Sequence, residues 1–141
     1  MEEKLKEYAA LLVRVGLNVQ PGQTLVISAP VECAWFARLC AAEGYDAGCR
    51  EVVMNWSDDA LGRMKYLRAA DDVFDSVPLW RRHFYNDYAQ EGAAYLAISA
   101  SDPENLKGVD PGRVTHAQQA SGKALREFDR LQMSSGFPWC I

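Results

Sequence analysis

Imidazole titrates nearest neutral pH of the unperturbed side chains, and this 141-residue chain has only two histidines, His83 and His116. Their surroundings offer them little. Neither stands in an HExxH motif, and His83 follows Arg81 and Arg82 on what reads as a solvated helix face. No catalytic residue and no metal ligand is assigned in the chain. The best acidic pair is Asp58-Asp59, just past Asn55, Trp56 and Ser57 at a strand end. Two adjacent carboxylates there could hold a cation or accept hydrogen bonds from sugar hydroxyls. They would equally suit the first turn of a helix capped by Ser57, where the helix dipole favours negative charge. Ligands of doubly wound sheets sit at the carboxyl ends of the strands. The candidate crevice residues are therefore Asn55, Trp56, Asp58 and Asp59.

The motifs that announce particular chemistries are missing. No GxGxxG follows the first apolar strand, so no dinucleotide fingerprint exists. Gly122-Lys123 lacks the upstream glycine of a phosphate loop, and no GxSxG elbow occurs. The cysteines Cys33, Cys40, Cys49 and Cys140 form no CxxC pair. Cys33 and Cys40 share a helical segment and lie roughly 10 Å apart along its axis, too far for a disulfide or a shared metal. They read as small buried hydrophobes in a reducing compartment.

Charge narrows the partners. Fifteen Lys and Arg face 19 Asp and Glu, a formal net charge of -4, with no basic cluster for nucleic acid or an anionic membrane. The start, MEEKLKEYAALLVRVG, is no signal peptide, and no apolar run reaches the ~18 residues of a membrane span. A cytoplasmic location is expected. Hydrophobic residues make up 49% and charged residues 24%, an ordinary globular balance sufficient for one core.

The elements that must position any site follow from periodicity. Leu5, Tyr8, Leu12 and Val15 predict a first helical face, with Gly16 as its stop. Thr24–Ser28 predicts a strand covered on both faces. Pro30 predicts the start of a helix whose inner face is Trp35, Phe36, Leu39 and Cys40, ended by Gly48. Glu51–Asn55 predicts a second strand, and Leu61, Met64, Tyr66 and Leu67 the stripe of the helix after it. A further helix from Pro78 carries Leu79, Trp80, Phe84 and Tyr88 to Gly92. Ala93–Ser99 predicts a third strand, with Ser99, Ser101 and Asp102 at its end. Asp102 to Asn105 (DPEN) predicts a short turn. Asp110-Pro111, a cap followed by proline, opens a helix with Val114, Ala117, Ala124, Leu125, Phe128 and Leu131 along its stripe. Ser134–Gly136 breaks that helix, and Phe137–Ile141 (FPWCI) begins a fourth strand.

Strands alternating with helices predict an α/β fold, a mostly parallel sheet of about four strands with helices on both faces, Rossmann- or flavodoxin-like. Its last strand reads as truncated, so the expectation is a piece of a longer protein. By residues alone two functions stay open. One is a piece of a longer protein, a domain without visible catalytic equipment of its own. The other is an autonomous flavodoxin-like small-molecule-binding module with a pocket near Ser28, Asn55 and Ser99.

Four stretches carry a family resemblance: GLNVQPGQ (16–23), VMNWSDD (53–59), KGVDP (107–111) and PWCI (138–141). With EKLKEYAALLVRV before them, they resemble the N-terminal part of the aminopeptidase T / aminopeptidase S family of thermophilic-type metalloaminopeptidases, from Glu3 to Ile141. The resemblance implies an enzyme that releases N-terminal amino acids from peptides. It implies two divalent metal ions, zinc, cobalt or similar, held by Glu, His and Asp in a C-terminal catalytic domain. No position here matches those ligands, so none is carried over, and the chain itself has no cofactor. Residues 1–141 are then a single N-terminal α/β domain whose partners are the catalytic domain, a peptide substrate and, in a homodimer, a second copy.

Overall fold

The computed structural model describes residues 2–99, 104–126, 128, 130 and 139–140. Helix α1 (Glu2–Ala10) widens into a π-helical turn (Leu11–Gly16), in which Leu17 N–H donates to Leu12 O, five residues back, at 2.8 Å. The wider turn changes which residues face inward. Ala9, Val13 and Leu17 are buried at steps of four, with Leu5 and Leu12 against them. Tyr8 and Val15, expected on that face, are exposed instead. Asn18 then takes a left-handed conformation (φ 51°), which asparagine tolerates, and Val19 N–H closes the end on Val13 O at 3.2 Å.

Strand β1 (Thr24–Pro30) runs to the proline, so Pro30 closes a strand instead of opening a helix. A 3-10 turn (Val31–Cys33) leads into α2 (Ala34–Asp46), whose inner face is Phe36, Ala37, Cys40 and Gly44. Trp35 is exposed. The inner arc lies slightly to one side of the expected stripe because α2 approaches the sheet closely at Gly44. A Cβ there would stand 2.7 Å from Leu25 Cδ2, so any larger residue would force the buried leucine to shift.

Strand β2 (Glu51–Ser57) precedes α3 (Asp59–Arg68) and a 3-10 turn (Asp71–Asp75). Helix α4 (Leu79–Glu91) ends at Gly92, whose φ of 80° suits glycine, and β3 (Ala94–Ala97) follows. Helix α5 (Pro111–Ala124) and β4 (Trp139–Cys140) complete the order. Strand β3 stops at Ala97, two residues short of the expected end at Ser99; Ala100–Pro103, Leu131 and Ser134–Pro138 with Ile141 lie outside the described residues, so most of the expected fourth strand is not among them.

The four strands are parallel in the order β2-β1-β3-β4. With α1 and α2 against one face and α4 against the other, the α/β architecture expected from the alternation is observed. Alternation along β1 sends Leu25, Ile27 and Ala29 to the α1–α2 side, joined by Ala94 and Leu96 of β3. Val26 and Tyr95 face the other way, onto Phe84, Tyr85, Tyr88 and Ala89 of α4 and onto Phe128. Leu79 and Trp80 do not join them; Trp80 is 72% exposed. Strand β2, at the sheet edge, is only half-buried.

Candidate functional site

The carboxyl ends of β1 and β2 meet at Ser28 and Asn55, which are paired in register. Both point to the α4 side. Asn55 Nδ2 donates to Ser28 Oγ at 3.3 Å and also to the Tyr85 hydroxyl, contributed by α4. Tyr95 Oη donates to Tyr85 O at 3.1 Å, and the Tyr95 and Tyr85 rings both meet Phe128 edge-on, at 5.0 and 5.3 Å between centroids. Burial, and then the neighbouring Tyr85, Tyr88 and Glu91, push the Tyr95 phenol above its ordinary range. The crevice is thus closed by its own side chains. Asn55 sits in it, but as the hub of a network that ties α4 to the sheet.

The other crevice candidates disperse. Trp56, next along β2, has its side chain half out in solvent. Asp58 is the true helix cap: its Oδ1 accepts from Ala60 N at 3.0 Å, while the expected cap, Ser57, is still strand. Strand β2 continues through its pairing with Pro30, which moves the helix start one residue on. Asp59 falls in the first turn, and its backbone carbonyl accepts from Asn105 Nδ2 at 3.1 Å. The two carboxylates belong to a capped helix start, and among the described residues no metal-binding group of His, Cys, Asp or Glu includes them.

The histidines stay apart and on the surface. His83 Nδ1 lies 3.4 Å from Asp87 on the next turn of α4, and His116 Nδ1 lies 3.3 Å from Asp75. Among the described residues, no three His, Cys, Asp or Glu side chains come together as a metal site would require. A dinuclear metal centre therefore does not fit the residues described here. Cys33, Cys40 and Cys49 are unpaired. Burial, reinforced by Glu43, pushes the Cys40 thiol up to about 12, and burial raises Cys49 as well, so both are unreactive packing residues.

The polar geometry that sequence reading missed lies between α3, the 3-10 turn and α5. Arg113 Nη1 donates to Tyr66 O at 2.9 Å, and Nη2 to Asp71 Oδ1 at 2.6 Å. Its guanidinium also lies over Phe74, which stacks on Tyr66 at 5.3 Å. Arg63 Nη1 donates to Asn105 O and Lys107 O at 2.6 and 2.7 Å. A solitary arginine in an amphipathic helix gives no signal that its fork will meet backbone carbonyls far along the chain. Of the expected α3 stripe only Tyr66 turns inward; Leu61, Met64 and Leu67 are exposed. Four clefts of about 230 to 360 Å³ lie around this region. The pocket expected near Ser28, Asn55 and Ser99 is not among them. No described helix is long and apolar enough to cross a membrane.

Comparison with known proteins adds what the geometry lacks. The family described as thermophilic metalloprotease (M29) matches across residues 1–141. Aminopeptidase 2 of Geobacillus stearothermophilus is 37% identical over 140 residues, which is 99% of this chain and 34% of that protein. Aminopeptidase AmpS of Bacillus subtilis is 36% identical over 139 residues, with the same shares covered. The structure of wild-type AmpT from Thermus thermophilus superposes with a TM-score of 0.91 at 33% identity, covering 99% of this chain and 35% of that one. The chain spans about a third of the length of these relatives.

Proposed function

The chain belongs to the thermophilic metalloprotease family, and from that premise we propose that it is the N-terminal, non-catalytic domain of a metalloaminopeptidase that releases N-terminal amino acids from peptides. One observation carries the reading: aminopeptidases match this chain almost end to end, yet it accounts for only 34% of their length. The ligands for two divalent ions, zinc, cobalt or similar, then belong to polypeptide outside Met1–Ile141. When bound, such a pair activates water and stabilises the tetrahedral intermediate of peptide hydrolysis. The part left to this chain is structural. It presents α3 and the start of α4, with Leu61, Met64, Leu67, Leu79 and Trp80 outward, as apolar surface for the catalytic domain to cover. A homodimer of the complete enzyme, acting on peptides in the cytoplasm, completes the proposal.

The test compares two polypeptides with the same metals and the same N-terminally unblocked peptide. Met1–Ile141 alone should release no amino acid. The same residues joined to the remaining two thirds of a family member should release it. Release by the isolated chain, or none by a folded, metal-loaded joined protein, would sink the reading.

A further inference from the structure

One cleft, of about 280 Å³, opens between α3, the 3-10 turn, the start of α4 and α5. Its apolar wall is Tyr66, Phe74 and Val77; Ser76 and Ser121 bring hydroxyls, and Lys65 and Arg81 bring charge. Both charges there are positive, and no carboxylate is among the lining residues. Neither cation has an ion-pair partner among the described residues, whereas the arginines beside them, Arg63 and Arg113, are held by carbonyls and Asp71. In a chain of net charge -4, the lining of this cleft carries two positive charges and no negative one.

Gly62, like Gly122 of α5, is a helical glycine with open space at its Cβ position. It lies inside α3, where glycine costs helix stability relative to alanine. Its backbone needs no positive φ, and a Cβ built there meets nothing within 4 Å. Neither conformation nor packing calls for glycine at this position. Gly62 is one of the residues that line the cleft.

We propose that this cleft is a binding site for a small apolar carboxylate: an aromatic or branched aliphatic group lies against Tyr66 and Val77, and its carboxylate meets Lys65 and Arg81. The site lies on this chain alone, so it stands or falls separately from the peptidase reading.

The probe is N-acetylphenylalanine, with N-acetylphenylalaninamide as its neutral counterpart, titrated into Met1–Ile141 by NMR. The acid should shift Gly62, Phe74 and Ser121 amides with saturable binding, and the amide should bind several-fold more weakly. Lys65→Gln and Arg81→Gln should each weaken the acid about three- to tenfold and leave the amide unchanged. Gly62→Leu should abolish binding while the melting temperature holds or rises, because leucine is the better helix former. Gly62→Ala, which leaves most of the cleft open, should retain it. Equal binding of acid and amide, full binding by Gly62→Leu, or no saturable shift with the acid would each overturn the proposal.

Discussion

Two regions of this chain are built on opposite principles. Around β1, the side chains of α1, α2 and β3 exclude water completely: Leu25, Ile27, Cys40 and Leu96 have almost no exposed surface. Around α3 and α5 neither helix buries a single residue, and arginines tie the elements to one another through backbone carbonyls. The first region specifies itself, because its apolar periodicity and its cover lie in the same chain. The second leaves the apolar side chains of Leu61, Met64 and Leu67 largely exposed among the described residues. Docking on a larger body, as proposed, would account for this division of the surface.

The comparison can be tested at both ends. Leu25→Ala opens a cavity where a side chain of zero exposure packs, and should cost about 2–5 kcal/mol in urea unfolding. A loss under about 1 kcal/mol would mean the sheet core is less tightly packed than its burial indicates.

Alkaline pH should act on the same region. The Cys40 thiol is held up to about 12 in the folded chain, against 9.0 as its ordinary value, so the folded state keeps a proton that the unfolded state releases. That contribution is intact below about pH 9 and is lost as pH climbs toward 12, by up to about 1.4 kcal/mol per pH unit. Cys40→Ala should flatten the alkaline limb of stability against pH. An unchanged limb would assign the loss to other groups, Tyr95 first.

In the second region the expected effects are smaller and local. Arg113→Ala removes two hydrogen bonds and the contact over Phe74, and should cost about 1–2 kcal/mol. Hydrogen exchange should speed up in α3 and the 3-10 turn and stay unchanged in β1. Equal acceleration everywhere would erase the distinction between the regions. Asp58→Ala, which deletes the α3 cap, should cost about 1 kcal/mol. Leu61→Ala is expected within about 0.5 kcal/mol of the unsubstituted chain, since its side chain already meets water.

The same division decides what the sequence made legible. Strand and helix identities followed from β-branched runs and apolar spacing, and the Asp110-Pro111 start and Gly92 stop follow from backbone chemistry that depends on no distant contact. Inner faces were less legible. Tyr8 and Val15 were placed inward by a regular 3.6-residue period, which the π turn breaks. Leu61, Met64, Leu67 and Trp80 were placed inward because an apolar stripe normally faces a core, and periodicity carries no record of what covers it. At the strand ends, Asn55 was singled out for its position, while its partner Tyr85 sits on a helix whose docking onto the sheet no local pattern announces. The carbonyl clamps of Arg63 and Arg113 are long-range for the same reason.

The central claim is that this chain is the part of a metalloaminopeptidase that carries no metal. Calorimetric titration of zinc or cobalt into purified Met1–Ile141 at neutral pH tests it most directly. The account predicts no stoichiometric binding, only weak heat from scattered surface carboxylates and histidines. Saturable uptake of two ions per chain would contradict it and place the catalytic ligands within these residues.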